Sequence, residues 1–363
     1  MVKTRMYSFL DMYNKYKKIK NYFLREVLPK WCYKSRFLTS LYYLFCDGSF
    51  SRELQAVLTG KVKHLEESNR LKSNYFLLVR NTHRIEKGLL MRPRREIFGK
   101  EYLCETIDNF EGVWKLKGTD MDNPQMKWFY DVLVEYFQVV NGSDKFIKKE
   151  RARFNHIING NSKPTLVCES SAPSIPYHRQ NESKSSIDYD EFYRLCKQRR
   201  SVRWFLDRKV PRDLIDKAVL AANQAPSACN RQPYEFRVFD DPALVNQVVQ
   251  IPMGTKGYGH SVPVLIVMVG NLDAYFDERD RHIIYIDASL ASMSFMLALE
   301  TMGLSSCSIN WPDIEEKEKK MENFLKLEKF QRPIMCIGVG FPDPEGLVAY
   351  SEKRPLTQIR KFN

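Results

Sequence analysis

Between residues 158 and 190 the chain changes character, and that break constrains its fold more than any other feature. The stretch runs through Asn159-Gly160-Asn161-Ser162-Lys163-Pro164, then Ser170-Ser171-Ala172-Pro173-Ser174-Ile175-Pro176, then Asn181-Glu182-Ser183-Lys184-Ser185-Ser186. Small and polar residues with three prolines and little apolar periodicity mark a linker. Before it, apolar residues recur at helical spacing, as in Ser51–Val62 and Met126–Val140. After it, helical and strand-like patterns alternate. Three regions are therefore expected: a mainly helical, basic N-terminal domain over 1–157, a linker over 158–187, and an α+β domain over 188–363.

In the third region the expected elements are a helix through Phe192 to Arg199, a helix opened by Pro211, and strands at Tyr234–Phe239 and Pro263–Val269. A long helix over Ile283–Met302 follows, then a strand at Leu304–Ile309, a charged helix at Asp313–Leu325 and a strand at Ile334–Val339. No internal repeat is evident.

The charge is uneven. Of a net +13, residues 1–37 carry +8: Lys3, Arg5, Lys15, Lys17, Lys18, Lys20, Arg25, Lys30, Lys34 and Arg36 face only Asp11 and Glu26. Apolar residues recur there at helical spacing (Met6, Leu10, Tyr13, Ile19, Phe23, Val27), with Tyr16, Tyr22 and Trp31 on the flanks. Two readings stand: a basic amphipathic helix lying on an anionic membrane surface, or a helix whose apolar stripe packs on its own protein. No nucleic-acid motif accompanies the charge, so no nucleic-acid partner is expected. The longest uncharged apolar stretch in the first fifty residues, Leu38–Cys46, is far short of the ~20 residues of a spanning helix. No hydrophobic block suggests a signal peptide.

Eight scattered cysteines without a C-x-x-C pair argue against a zinc ribbon or thioredoxin-type site. They read as free thiols of a cytoplasmic protein, with a peripheral place at the inner membrane face if the basic start binds lipid. No metal is expected, and the Asn-x-Ser matches at Asn141 and Asn181 are chance.

Phosphate binding by backbone is not indicated. Gly254–Gly259 precedes a strand-like run instead of a helix, Gly338-Val339-Gly340 is followed by Phe341-Pro342-Asp343-Pro344, and no P-loop occurs. Side chains could do it instead. Arg199-Arg200-Ser201-Val202-Arg203 gathers three guanidinium groups and a hydroxyl, and arginine's planar fork matches phosphate oxygens two at a time. Ala225-Pro226-Ser227-Ala228-Cys229-Asn230-Arg231-Gln232-Pro233-Tyr234 offers amides suited to a heterocycle edge. Gly303–Trp311 ends a strand with an amide and an aromatic, and Glu352-Lys353-Arg354-Pro355-Leu356 adds late basic groups. His83-Arg84-Ile85-Glu86-Lys87-Gly88-Leu89 reads either as an acid–base cluster or as a solvated helix end closing at Gly88.

These segments, in this order, resemble the flavin-dependent nitroreductase family over about residues 188–363. The resemblance implies a mixed sheet flanked by helices, non-covalent FMN, and a homodimer with the flavin at the subunit interface and Ile283–Met302 as a dimer element. It implies that Arg199, Arg200, Ser201 and Arg203 hold the phosphate. Pro226, Ser227, Asn230 and Gln232 would meet the ring, Asn310 and Trp311 would bring backbone toward N5, and Lys353 or Arg354 would lie near the phosphate or the N1/C2 edge. The catalytic group would be the flavin itself, passing hydride from NADH or NADPH through N5 to a small-molecule acceptor. The family's deiodinating and flavin-fragmenting branches leave reductive dehalogenation open. Tyr234 stands where many relatives have Trp, and the short stretch from Tyr234 to Pro263 implies a small lid. Cys229 reads as packing because no base accompanies it, Cys307 as a core strand residue, and His260 and His282 either as structural or as proton donors to a reduced product. A reading from another class is a non-catalytic flavin-binding or interaction protein docking a membrane or protein through its N-terminal half.

Overall fold

The computed structural model describes residues 2–117, 123–160, 172–181 and 183–362, and the side chains of 2–11, 117 and 181 are not described. Lys3, Arg5, Met6, Leu10 and Asp11 as side chains, the Asn181 side chain, Cys168 and the linker residues 161–171 and 182 thus lie outside the described residues. The other cysteines are free.

The chain forms two compact units: Met1–Gln55 with Asp313–Glu316, and Ala56–Pro312 with Lys317–Asn363. The helices after residue 56 therefore share a unit with the sheet.

The first unit holds α1 (Val2–Tyr22), α2 (Leu28–Cys32) and α3 (Arg36–Phe45), with a π-helical turn over Phe23–Val27. Ser35 caps α3 by accepting from the Leu38 amide. Among its described side chains only Tyr42 is buried, its hydroxyl donating to the Leu24 carbonyl at 3.0 Å. Tyr16, Trp31, Phe37 and Phe45 are all exposed. The α4 helix (Ser51–Leu65) follows.

In the second unit, α5 (Tyr75–Leu89), α6 (Lys100–Lys117), α7 (Pro124–Val139) and α8 (Lys145–Asn159) enclose an aromatic-rich core. Leu78, Ile85, Leu103, Ile107, Phe110, Phe129, Leu133, Tyr136 and Phe154 are all fully or nearly fully buried there. Each such side chain contributes about 1.5–3 kcal/mol of hydrophobic stabilisation. Asn74, Asn123 and Asp144 cap α5, α7 and α8 through their side-chain oxygens. Gly88 does not close α5. The helix continues through it to Leu89, and a Cβ at Gly88 would lie 2.2 Å from the Phe98 ring. Tertiary packing, not a left-handed turn, requires that glycine. The described part of the linker returns to α7: the Ser174 amide donates to Asp131 at 2.7 Å, and Lys127 Nζ to the Ala172 carbonyl at 2.9 Å.

The chain continues with α9 (Tyr189–Gln198), α10 (Arg212–Ala222), β1 (Tyr234–Phe239), α11 (Pro242–Val248), β2 (Val264–Asn271), α12 (Ile283–Thr301), β3 (Ser305–Asn310), α13 (Glu315–Leu325), β4 (Gln331–Gly340) and α14 (Leu356–Ile359). The strands lie in the order β1-β2-β4-β3, each pair antiparallel. The parallel component is one bridge, Ser201 to Ser306. Every residue of β2 is buried, and its alternation divides the core. Leu265, Val267 and Val269 point to one layer, while Val264, Ile266 and Met268 point to the layer under α10 and α12. This α+β arrangement, with helices on both faces of the sheet, is the expected fold class.

The α12 helix is apolar on two sides. Ile284, Ala288, Ala291, Phe295 and Leu299 pack inward, whereas Ile286, Leu290 and Met293 form an exposed stripe at helical spacing. Among the described residues it is also the one helix long and apolar enough to cross a bilayer by composition. Its inner face covers the sheet instead.

Candidate functional site

Register separates the expected site into two halves. Ser201 bridges Ser306, which pairs with Val339 on β4. Tyr234, just after the amide loop, pairs with Gly270, which faces Arg332 on the same strand. Seven residue steps along β4 separate these levels, about 23 Å at a strand's rise. The α12 helix gives an independent ruler. Asp287 accepts from the Ala228 amide at 3.0 Å near one end, while the charge of Arg199 acts on Glu300 near the other. Those positions are about 20 Å apart along a helix axis. Arg199–Arg203 and Pro226–Gln232 therefore lie toward opposite ends of α12.

At the first end, Arg199 terminates α9 and Ser201 is pinned to β3 by the Val202 amide, which donates to the Ser306 carbonyl at 3.0 Å. Arg203 is exposed, and its guanidinium lies 5.8 Å from the Tyr258 ring centre. Lys353 and Arg354 lie on an exposed C-terminal arm. The preceding carboxylate, Glu352, is held below its ordinary range first by the Lys353 amide and also by the charge of Arg200, which brings the arm to this end. Arg199 Nε and Ser306 Oγ are buried without a hydrogen-bond partner. Orphaned donors beside three guanidinium groups fit a phosphate.

At the other end the amide loop is strained. Cys229, Asn230 and Gln232 all have positive φ (55°, 57° and 49°). Only asparagine tolerates that region readily, and each strained residue costs about 1–2 kcal/mol. The loop is held by Ser227 Oγ, which accepts from the Gln232 amide at 3.2 Å, and by the Asp287–Ala228 bond. Within it, buried Arg231 lies over the Tyr275 ring at 4.7 Å. Burial raises the Asp287 carboxyl, against the opposing Ala228 amide and Arg231 charge.

Pro226, Ser227, Asn230 and Gln232 line a cleft of about 720 Å³. Its other described walls are Asn223, His83 and Glu86 of α5, and Asn123, Pro124, Gln125 and Trp128 at the start of α7. Glu86 joins two of them. Its Oε1 accepts from Trp128 Nε1 at 3.3 Å, and its Oε2 lies 3.4 Å from His83 Nδ1. The 83–89 motif thus stands beside the ring loop. Trp128, Gln125 and Asn123 escaped sequence reasoning: Asn123-Pro124 signals only a helix start, and Trp128 sits within an apolar run that reads as core.

Asn310 and Trp311 do not line the cleft. Asn310 ends β3, on the sheet edge opposite β1, about 14 Å across three strand spacings. Trp311 is buried, its indole donating to Glu318 at 2.7 Å beside the Arg332–Glu318 ion pair. Cys307 is buried in β3 with its Sγ 3.7 Å from the Tyr258 hydroxyl, His260 packs against Trp204, and His282 is exposed at the start of α12.

The nitroreductase family model matches residues 196–256 and 246–341, the segment that carries both half-sites and the sheet. The C-terminal region is a nitroreductase-family domain. Among curated relatives, iodotyrosine deiodinase 1 of Sus scrofa is 27% identical over 197 residues, covering 47% of this chain and 67% of its own. The human iodotyrosine deiodinase 1 is 24% identical, covering 53% and 75%. A putative NADH dehydrogenase/NAD(P)H nitroreductase of Methanothermobacter thermautotrophicus is 26% identical, covering 40% and 74%. Of solved structures, an FMN-dependent nitroreductase from Clostridium difficile aligns with a TM-score of 0.40 at 24% identity, covering 47% of this chain and 98% of that one.

Proposed function

We propose that the protein is an FMN-dependent oxidoreductase that takes hydride from NADH or NADPH and passes it to a second, small-molecule acceptor. The observation that supports it most is the pairing of an arginine-rich end carrying orphaned buried donors with a strained, amide-bearing loop that opens on a cleft. FMN would supply the two-electron chemistry when bound. Arg199, Arg200, Ser201 and Arg203 would hold its phosphate, with Lys353 or Arg354 on the arm nearby. Ser227, Asn230 and Gln232 would orient its ring. The deiodinase relatives extend the acceptor class from nitro compounds to aryl halides.

The working unit is a homodimer. Half-sites at opposite ends of α12 complete one another if two α12 helices pair antiparallel about a two-fold axis, and the exposed Ile286, Leu290 and Met293 stripe supplies a surface for that pairing. Exposed apolar residues on α9 (Phe192, Tyr193) and on the C-terminal arm (Leu347, Phe362) support the same assembly.

The test is the visible spectrum of the purified full-length protein, before and after anaerobic NADH or NADPH. A yellow protein that bleaches with one nicotinamide and releases FMN on denaturation supports the reading. A colourless protein that refuses added FMN overturns it.

The first unit supports a peripheral place at an anionic membrane surface. Tyr13, Tyr16, Tyr22 and Trp31 are exposed in the same stretch as Lys15, Lys17, Lys18, Lys20 and Arg25. Sedimentation with anionic vesicles that is lost at high salt agrees with this. Equal recovery with neutral vesicles, or none with either, opposes it.

A further inference from the structure

We propose that the cleft walled by α5, the start of α7 and the 226–232 loop is the acceptor site, and that it selects aromatic acceptors carrying a cationic group. The inference rests on the flavin reading, because it places the acceptor against the loop assigned to the ring. The connection between β1 and β2 turns Val245, Val248, Val249 and Ile251 into the sheet core, and none of its residues lines this cleft among those described. The helical layer of residues 75–139 supplies the wall.

The chemistry of the lining is specific. Trp128 lines the cleft, and an indole is the aromatic group best suited to a cation or a planar ring. Glu86 presents a carboxylate whose two oxygens each have one near partner, Trp128 Nε1 and His83 Nδ1, leaving lone pairs for a donor. Among the described residues lining the cleft there is no Lys or Arg. An anionic acceptor would meet an uncompensated carboxylate there, whereas an ammonium group would meet a carboxylate and an indole together. The remaining groups, Asn123, Gln125 and Asn223, are neutral and suit hydrogen bonds to a polar substituent. Glu86 and Trp128 are therefore specificity-determining residues, and His83 positions the carboxylate between them.

The experiment uses the full-length protein as purified, its visible spectrum recorded first. Benzylamine and benzoate, which are not reduced, are titrated by calorimetry. The flavin is then reduced, and its reoxidation by 4-nitrobenzylamine, 4-nitrobenzyl alcohol and 4-nitrobenzoate is followed. The account expects benzylamine to bind about tenfold more tightly than benzoate, and the cationic nitro compound to react with a similar advantage. Glu86→Gln retains an oxygen for the Trp128 indole and should keep the wild-type melting temperature while abolishing both preferences. Trp128→Leu should weaken benzylamine and the neutral alcohol alike. A wild type that prefers benzoate, or a folded Glu86→Gln protein with unchanged discrimination, overturns the inference. A sample without flavin fails at the first spectrum, which overturns the underlying reading and is distinguishable from failure of charge selection.

Discussion

Glu86 and Trp128 come from different helices, 42 residues apart, and meet through a 3.3 Å bond from the indole Nε1 to the carboxylate Oε1. The contact lies within the helices that precede the linker, and both residues line the cleft that also holds Ser227, Asn230 and Gln232. The helices before the linker thus help to form the site.

Arginine at position 200 is expected to anchor the phosphate. Arg200→Ala should weaken FMN binding about ten- to hundredfold, the worth of one charge-assisted hydrogen bond. Arg200→Lys should recover part of the loss, because it restores the charge without the planar fork. Quenching of flavin fluorescence on titration reads both. Equal affinity in all three proteins would remove Arg200 from the site.

The exposed stripe of α12 should hold the dimer. Leu290→Glu places a charge in its middle and should yield a monomer by sedimentation velocity, with flavin lost at the same time. A monomer that keeps stoichiometric FMN would show that one chain suffices.

Asp108 clamps three elements, pairing with Lys72 at 2.9 Å and Arg153 at 2.5 Å. Burial alone would raise its carboxyl, but hydrogen bonds from Lys72 and Arg153 outweigh burial and hold it below the usual range. A lowered folded pKa stabilises the protein above the unfolded value, and that stabilisation disappears as pH falls through the folded one. Asp108→Asn should therefore cost about 1.5–3 kcal/mol at pH 7. The deficit should shrink below about pH 4, where the unfolded carboxyl protonates. Urea unfolding at both pH values checks it, and a deficit independent of pH would contradict it.

The strained loop makes a backbone prediction. At Cys229, with φ of 55°, glycine should change stability by less than about 1 kcal/mol, because it relieves the left-handed conformation. Valine should cost about 2 kcal/mol, since a β-branched residue tolerates that conformation poorly. Similar midpoints for the two variants in urea would show that the strain is absent.

What was legible in the sequence was local. The Arg199–Arg203 run and the 226–232 loop stand out by residue type, and the strands and helices after residue 188 follow from period and breakers. The failures are tertiary. Gly88 satisfies the rule for a helix end, yet its reason is the Phe98 ring, which no local rule contains. Trp128 shares the apolar spacing of α7, and spacing does not say that one wall of that helix faces a cleft. The separation of the two half-sites depends on the register of Ser201 against β3 and of Tyr234 against β2, and neither is written in the segments themselves.

The most direct measurement is subunit complementation, because the account assigns each FMN to one chain's arginine end and its partner's amide loop. Arg200→Ala and Gln232→Ala proteins, each poor in flavin, are mixed, allowed to exchange subunits and assayed for bound FMN. A mixed dimer has one site with both defects and one with neither, so FMN should return, approaching one per mixed dimer. No gain in flavin over the separate variants, in samples where exchange is verified, would contradict a site shared between two chains.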